Sequence, residues 1–151
     1  MKCFFCLCLL IVVSGSHAQE NISPTSDFTI EGLVKAPLTF NFNSMTGFPT
    51  VAIDSVTIYN HLHVRRRGIK SIKGILLKDI LGKVEFNAPN PKVLSEFYIV
   101  CIASDNYKVV FSWNEIFNTD IGKHAIIITE AEGKRGEQRE DRIALISPPT
   151  K

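Results

Sequence analysis

The sequence predicts an α+β fold dominated by β-strands. Two observations carry this: short runs of β-branched or alternating apolar residues recur along the chain, and stretches with helical apolar spacing last only a turn or two. Turn-forming residues punctuate these segments at close intervals. With 151 residues, 21% charged and 45% hydrophobic, the chain has ordinary globular composition. One domain is natural at this length. A net charge of +2 makes no global case for nucleic acid or an anionic membrane.

Residues 1–18 read as a secretory signal peptide. Lys2 gives a positive start, and Cys3 to Val13 form an unbroken apolar run of 11 residues. Ser16-His17-Ala18 then places small residues where a signal peptidase reads them. The run is too short for a membrane span, which needs about 20 apolar residues. Cleavage near Ala18 is expected, giving an exported protein, periplasmic or extracellular, with no membrane span in its mature form. Cys3, Cys6 and Cys8 leave with the signal, so Cys101 remains alone and no internal disulfide forms. Residues 19–27 are a polar, flexible lead-in, and residues 28–149 form the domain.

The elements follow in order. Phe28 and Ile30 precede the Gly32 break, with Val34 beyond it. Leu38, Phe40 and Phe42 alternate with polar residues, the period of a half-buried strand. Asn43 to Thr46 open a single helical turn, stopped by Gly47 and Pro49. Val51 to Tyr59 is a β-branched strand, and Arg65 to Lys73 returns as its hairpin partner. Leu76, Leu77, Ile80 and Leu81 have the spacing of a short amphipathic helix, stopped at Gly82. Asn87 to Pro91 is a loop by composition. Phe97 to Ala103 is continuously apolar up to the turn at Ser104-Asp105-Asn106, which suits a central strand buried on both faces. Tyr107, Val109 and Phe111 alternate as the next strand. Ser112-Trp113-Asn114-Glu115 is a capping box for a helix through Phe117. Ala125 to Thr129 and Ile143 to Ile146 are the last two strands, with a turn at Glu132-Gly133-Lys134 between them.

The chemistry on view is sparse. There is no Gly-rich phosphate loop, and the mature chain has no serine-hydrolase elbow. On a strand, His61 and His63 share a face about 7 Å apart. Zinc needs at least one further ligand, such as His124 or an acid. Two solvated histidines on a hairpin account for the same residues. Arg65, Arg66 and Arg67, with Lys70 and Lys73, form the densest charge cluster. Arginine forks bind phosphate through paired hydrogen bonds, while a charged hairpin tip also shields an edge strand. Asp105 with Tyr107 is a catalytic candidate that a simple turn explains equally well. Cys101, Trp113 and Phe117 read as core.

Several segments together resemble one family. They are Ile30 to Val34 with Pro37-Leu38-Thr39, Gly74 to Leu81, Ala103 to Ser112, Glu115, Gly133, and Arg142 to Pro148. Their order and spacing are similar to the oxidoreductase molybdopterin-binding domain, the sulfite-oxidase fold, in a short exported bacterial form. The resemblance implies a core of mixed sheet or barrel with two or three short helices. It also implies a molybdenum-bearing pterin whose metal takes one cysteine thiolate from the protein. That cysteine falls just after the strand ending at Tyr59, where this chain has Asn60-His61-Leu62-His63. Without the soft ligand, the resemblance points to a protein that is not catalytic. The family's turn glycine is Asn106 here, a residue that tolerates a left-handed backbone.

Three readings stand. In the first, the domain binds molybdopterin or another small anion through Asn60, His61, His63, Arg65, Arg66, Arg67, Asp105 and Tyr107. His61, Arg65, Arg66 and Tyr107 must then line one pocket. In the second, it is a cofactor-free binding or interaction module with an envelope protein partner, and an exposed apolar patch or open strand edge is expected. In the third, it is a metal-dependent enzyme using His61 and His63.

Overall fold

The longest strand, β4, organises the molecule. The computed structural model describes residues 23–59 and 62–148. The expected signal peptide, Asn60, His61 and Pro149 lie outside the described residues. Two short strands come first, β1 (Asp27–Ile30) and β2 (Leu38–Asn41), paired as a hairpin with Phe28 stacked on Phe40 at 5.5 Å. Next come β3 (Val51–Tyr59) and β4 (Arg65–Leu76), the predicted hairpin. The chain then passes directly into helix α1 (Leu77–Leu81), which Gly82 closes in a right-handed conformation with its N–H on the Lys78 carbonyl. β5 (Tyr98–Ile102) and β6 (Lys108–Ser112) form a separate ribbon. Helix α2 (Trp113–Asn118) follows, opened by the predicted capping box of Ser112 and Glu115. The chain ends in β7 (Ile126–Ala131), β8 (Lys134–Arg135) and β9 (Ala144–Ile146).

The fold is predominantly β with short helices, as the apolar patterning predicts. The expected mixed sheet does not form among the described residues, where every strand pair is antiparallel. The main sheet runs β3-β4-β7-β8, and β9 also pairs with β7. β1 begins at Asp27 rather than 28. The end of the lead-in is also held in place, because Ser26 Oγ accepts a hydrogen bond from Arg142 Nη1 at 2.8 Å.

The doubly buried strand is β7, and this corrects the expectation for Phe97 to Ala103. Ala125, Ile126, Ile127, Ile128 and Ala131 are all buried. β5 pairs with β6 alone and has one covered face. Ile99 and Cys101 turn toward the core, whereas Tyr98, Val100 and Ile102 are exposed. An unbroken apolar run does not distinguish a strand with two covered faces from one with a single covered face. Val110, the partner of Val100 across the ribbon, adds to the same exposed apolar surface, and Tyr107 is exposed at the turn.

Two cores flank the main sheet. The larger gathers Phe40, Met45, Ile75, Leu77, Ile80, Leu81, Phe111, Ile116, Ala125 and Ile127. The smaller holds Ile69, Ile72, Ile128 and Ala131. Ile69 and Ile72 are three residues apart, which strict strand alternation puts on opposite faces. Ser71 lies between them with φ of 50°, and this left-handed residue resets the alternation. A second local device closes β7 to β8. Glu132 and Gly133 both have positive φ, 53° and 76°, as a two-residue type I′ turn requires.

Gly74 fixes the β4–β7 seam. A Cβ there meets Ile126 Cγ2 at 2.3 Å and the Ile127 carbonyl oxygen at 2.4 Å. Only a glycine permits this approach, which falls at a register shift between Lys73 and Gly74. Gly74→Ala is expected to lower stability by about 1–3 kcal/mol through overpacking, read as a lower urea midpoint with an unchanged slope.

Arg139 is a buried charge, 6% exposed. Its Nη1 donates to the carbonyls of Ile128 at 3.2 Å and Arg142 at 2.6 Å, fastening the segment before β9 to the central strand. Burial pulls its guanidinium below the usual value, and nearby Asp141 opposes that shift. Arg139→Ala leaves both carbonyls short of a donor and is expected to cost about 1.5–3 kcal/mol, measured by denaturant unfolding.

Candidate functional site

The main concave feature is set by the β4–β7 seam. A cleft of 870 Å³ opens between the β1–β2 hairpin, the turn at residues 42–46 and the β4–β7–β8 end of the sheet. Met45 and Ile75 form its apolar floor, and both are buried. Asn41, Asn43, Thr46, Thr50 and Thr129 bring amides and hydroxyls to the wall. Phe42 lines it as well, and its ring stands beside Gly136.

The charged residues of the cleft form a small network. Lys73 and Glu130 are cross-strand partners, with Nζ 3.2 Å from Oε1. Glu130 Oε2 accepts from Arg135 Nε at 2.6 Å. The Glu130 carboxyl is mostly covered, with 17% of its side chain exposed. The hydrogen bonds from Arg135 first and Lys73 second hold it below the usual carboxylate range. Asp27 and Glu137 add two further carboxylates.

Of the residues predicted to hold a cofactor, the described ones, His63, Arg65, Arg66, Arg67, Asp105 and Tyr107, do not line this cleft, whereas Lys73 of the basic cluster does. Arg65, Arg66 and Arg67 are exposed at the start of β4. Arg67 is engaged, its Nη2 lying 2.8 Å from Asp141 Oδ2. Lys73 is eight residues on from Arg65, about 26 Å along an extended strand, so the basic cluster divides between the two ends of β4. His63 is exposed beside the hairpin tip with φ of 56°. Asn60 and His61 lie outside the described residues.

Asp105 and Tyr107 belong to the β5–β6 turn. Asp105 Oδ1 accepts the Tyr107 N–H at 2.9 Å, and Asn106 takes the left-handed conformation with φ of 63°. Tyr107 is 67% exposed. Among the described residues, no hydrogen bond or ion pair joins this turn to the three arginines. His124 uses Nδ1 on the Asp120 carbonyl at 2.8 Å. No three His, Cys, Asp or Glu side chains among the described residues gather as a metal site.

Cys101, which the sequence reads as core, is the free cysteine among the described residues. Its side chain is partly buried against the larger core, and burial pushes the thiol pKa up. A protonated, core-facing thiol does not suit a metal that needs a thiolate ligand. The described residues therefore do not fit the metal-bearing group that the sequence resemblance implies. No family model, curated protein or solved structure matches the chain.

The residues that build the cleft come from four distant segments. Sequence reading missed Glu130, Arg135, Asn43 and Thr50, because only the β4–β7 register brings them together. The one usable signal is Lys73, which the sequence places inside the basic strand.

Because its carboxyl is held below the ordinary range, Glu130 contributes stability that is present above the unfolded-state pKa. That contribution is lost as pH falls through the lower folded-state value. Glu130→Gln is therefore expected to be less stable than the parent at neutral pH. Its deficit should shrink as the buffer is taken below about pH 4.3, in thermal melts run across acid pH.

Proposed function

We propose that this chain is an exported, single-domain binding protein with a sulfite-oxidase-like fold and no redox catalysis. One observation carries the reading. Among the described residues, His63, Arg65, Arg66, Arg67, Asp105 and Tyr107 do not line the cleft, and the Cys101 thiol faces the core. Arg67 is committed to Asp141, and Asp105 to its own turn. The ordered segments of the resemblance support the fold: α1, β6, α2 and β9 all contribute to the larger core or pack against it. The exposed apolar face of Tyr98, Val100, Ile102 and Val110 supports a binding role, since contiguous apolar surface on a small domain often marks interaction.

The test is to express the full chain in a host that makes the molybdenum cofactor. Molybdenum and oxidised-pterin fluorescence are then measured on the purified protein. Neither is expected above background. Near-stoichiometric pterin, with or without metal, overturns the reading.

A further inference from the structure

We propose that the cleft beside the β4–β7 seam is a binding site for a neutral saccharide. This deepens the binding-domain reading and rests on it for the role of the cleft. Size comes first. A cleft of 870 Å³ falls within the range of roughly 300–1,000 Å³ typical of small-molecule sites.

The charge balance then narrows the ligand class. Three carboxylates, Asp27, Glu130 and Glu137, face two cations, Lys73 and Arg135. A phosphate or sulfate entering this cleft meets the carboxylates of Asp27 and Glu137. A polyamine meets the cations. Neither sign of ligand finds a matched field.

A ligand rich in hydroxyls does. Each hydroxyl donates one hydrogen bond and accepts others, so it matches a wall that mixes donors and acceptors. Arg135 spends only Nε on Glu130, and its terminal N–H groups have no partner among the described residues. Lys73 gives one ammonium hydrogen to Glu130. Glu130 is pinned by both cations, so its carboxylate presents a fixed, ionised acceptor. The Asn43 amide, the Thr50 hydroxyl and the Glu137 carboxylate make no side-chain hydrogen bond among the described residues and line the same space. Phe42, half-buried against the larger core, brings an aromatic edge to the same space beside Gly136, where the C–H groups of a sugar ring can pack.

The test uses the full chain in solution. Amide NMR spectra are recorded with glucose, galactose, N-acetylglucosamine, maltose and cellobiose, each at millimolar concentration. Spermidine and inorganic phosphate are titrated in parallel. Saturable shifts at Asn43, Thr50, Arg135 and Glu137 with at least one sugar are expected. Asn43→Ala and Glu137→Gln, both at exposed positions, should each weaken that sugar at least about fivefold while the rest of the spectrum stays in place. The proposal is overturned if no sugar gives a saturable shift at the cleft. It is also overturned if spermidine or phosphate binds there more tightly, or if neither variant weakens the sugar. Molybdenum and pterin content of the same preparation separates the two readings. A cofactor-loaded protein that binds sugar at the cleft defeats only the non-redox reading, and a cofactor-free protein that binds none defeats only the saccharide site.

Discussion

The close approach of β4 and β7 at Gly74 is the constraint on which the rest of the structure depends. Two backbones meet where no side chain fits, and each strand then carries the sheet outward. β4 extends to β3 on its far side, while β7 extends to β8 and β9. Because β4 runs on into α1, the seam also sets where that helix lies, and the Leu77 N–H bonds to the Ala125 carbonyl at 2.8 Å. The two cores form on opposite faces of the same pairing, with Ile75 and Ile127 on one side and Ile72 and Ile128 on the other. A shift of one residue along the seam would exchange these sets and mismatch the packing of both cores.

The same seam makes the cleft polar. Lys73 and Glu130 are a cross-strand pair at the register shift, next to the glycine that allows the strands to meet. A tight β7–β8 turn then folds Arg135 back onto Glu130. An exposed ion pair contributes little to stability by itself. Its effect here is orientation: one covered carboxylate is held ionised while the cations keep most of their hydrogen-bonding capacity. The local rule for a two-residue turn thus reaches the chemistry of the cleft through two residues of β8.

Local devices were legible in the sequence and tertiary choices were not. The capping box at Ser112 and Glu115, the hairpin of β3 and β4, and the turn at Glu132-Gly133 each follow from adjacent residues and form as expected. The burial of β5 does not follow in this way. Phe97 to Ala103 and Ala125 to Thr129 are both continuous apolar runs, and what distinguishes them is how many partners each strand finds. Ser71 is equally silent, since nothing about a serine in a strand announces a left-handed backbone. Arg139 reads as one charge in a charged stretch, and its burial depends on two carbonyls, one of them eleven residues before it. The cleft was illegible for the same reason: its wall is assembled from the hairpin, the turn after it, β4 and the β7–β8 turn. The basic cluster misled in the other direction, because neighbours along a strand are spread over its whole length.

Register also decides what chemistry is open to the Cys101 thiol. Cys101 pairs with Val109 in the β5–β6 ribbon and shares its face with Ile99 and Phe111. Side chains on a strand alternate, so Val100 and Ile102 take the outer face and the thiol takes the inner one. Slipping the ribbon by one residue would expose the sulfur and bury Tyr98, Val100 and Ile102 in its place. The apolar content of the inner face resists that slip, and the same burial that holds Cys101 inside also keeps it protonated. Strand pairing therefore keeps the Cys101 sulfur from serving as a soft ligand. What the described residues leave accessible is a mixed polar cleft and an exposed apolar sheet face.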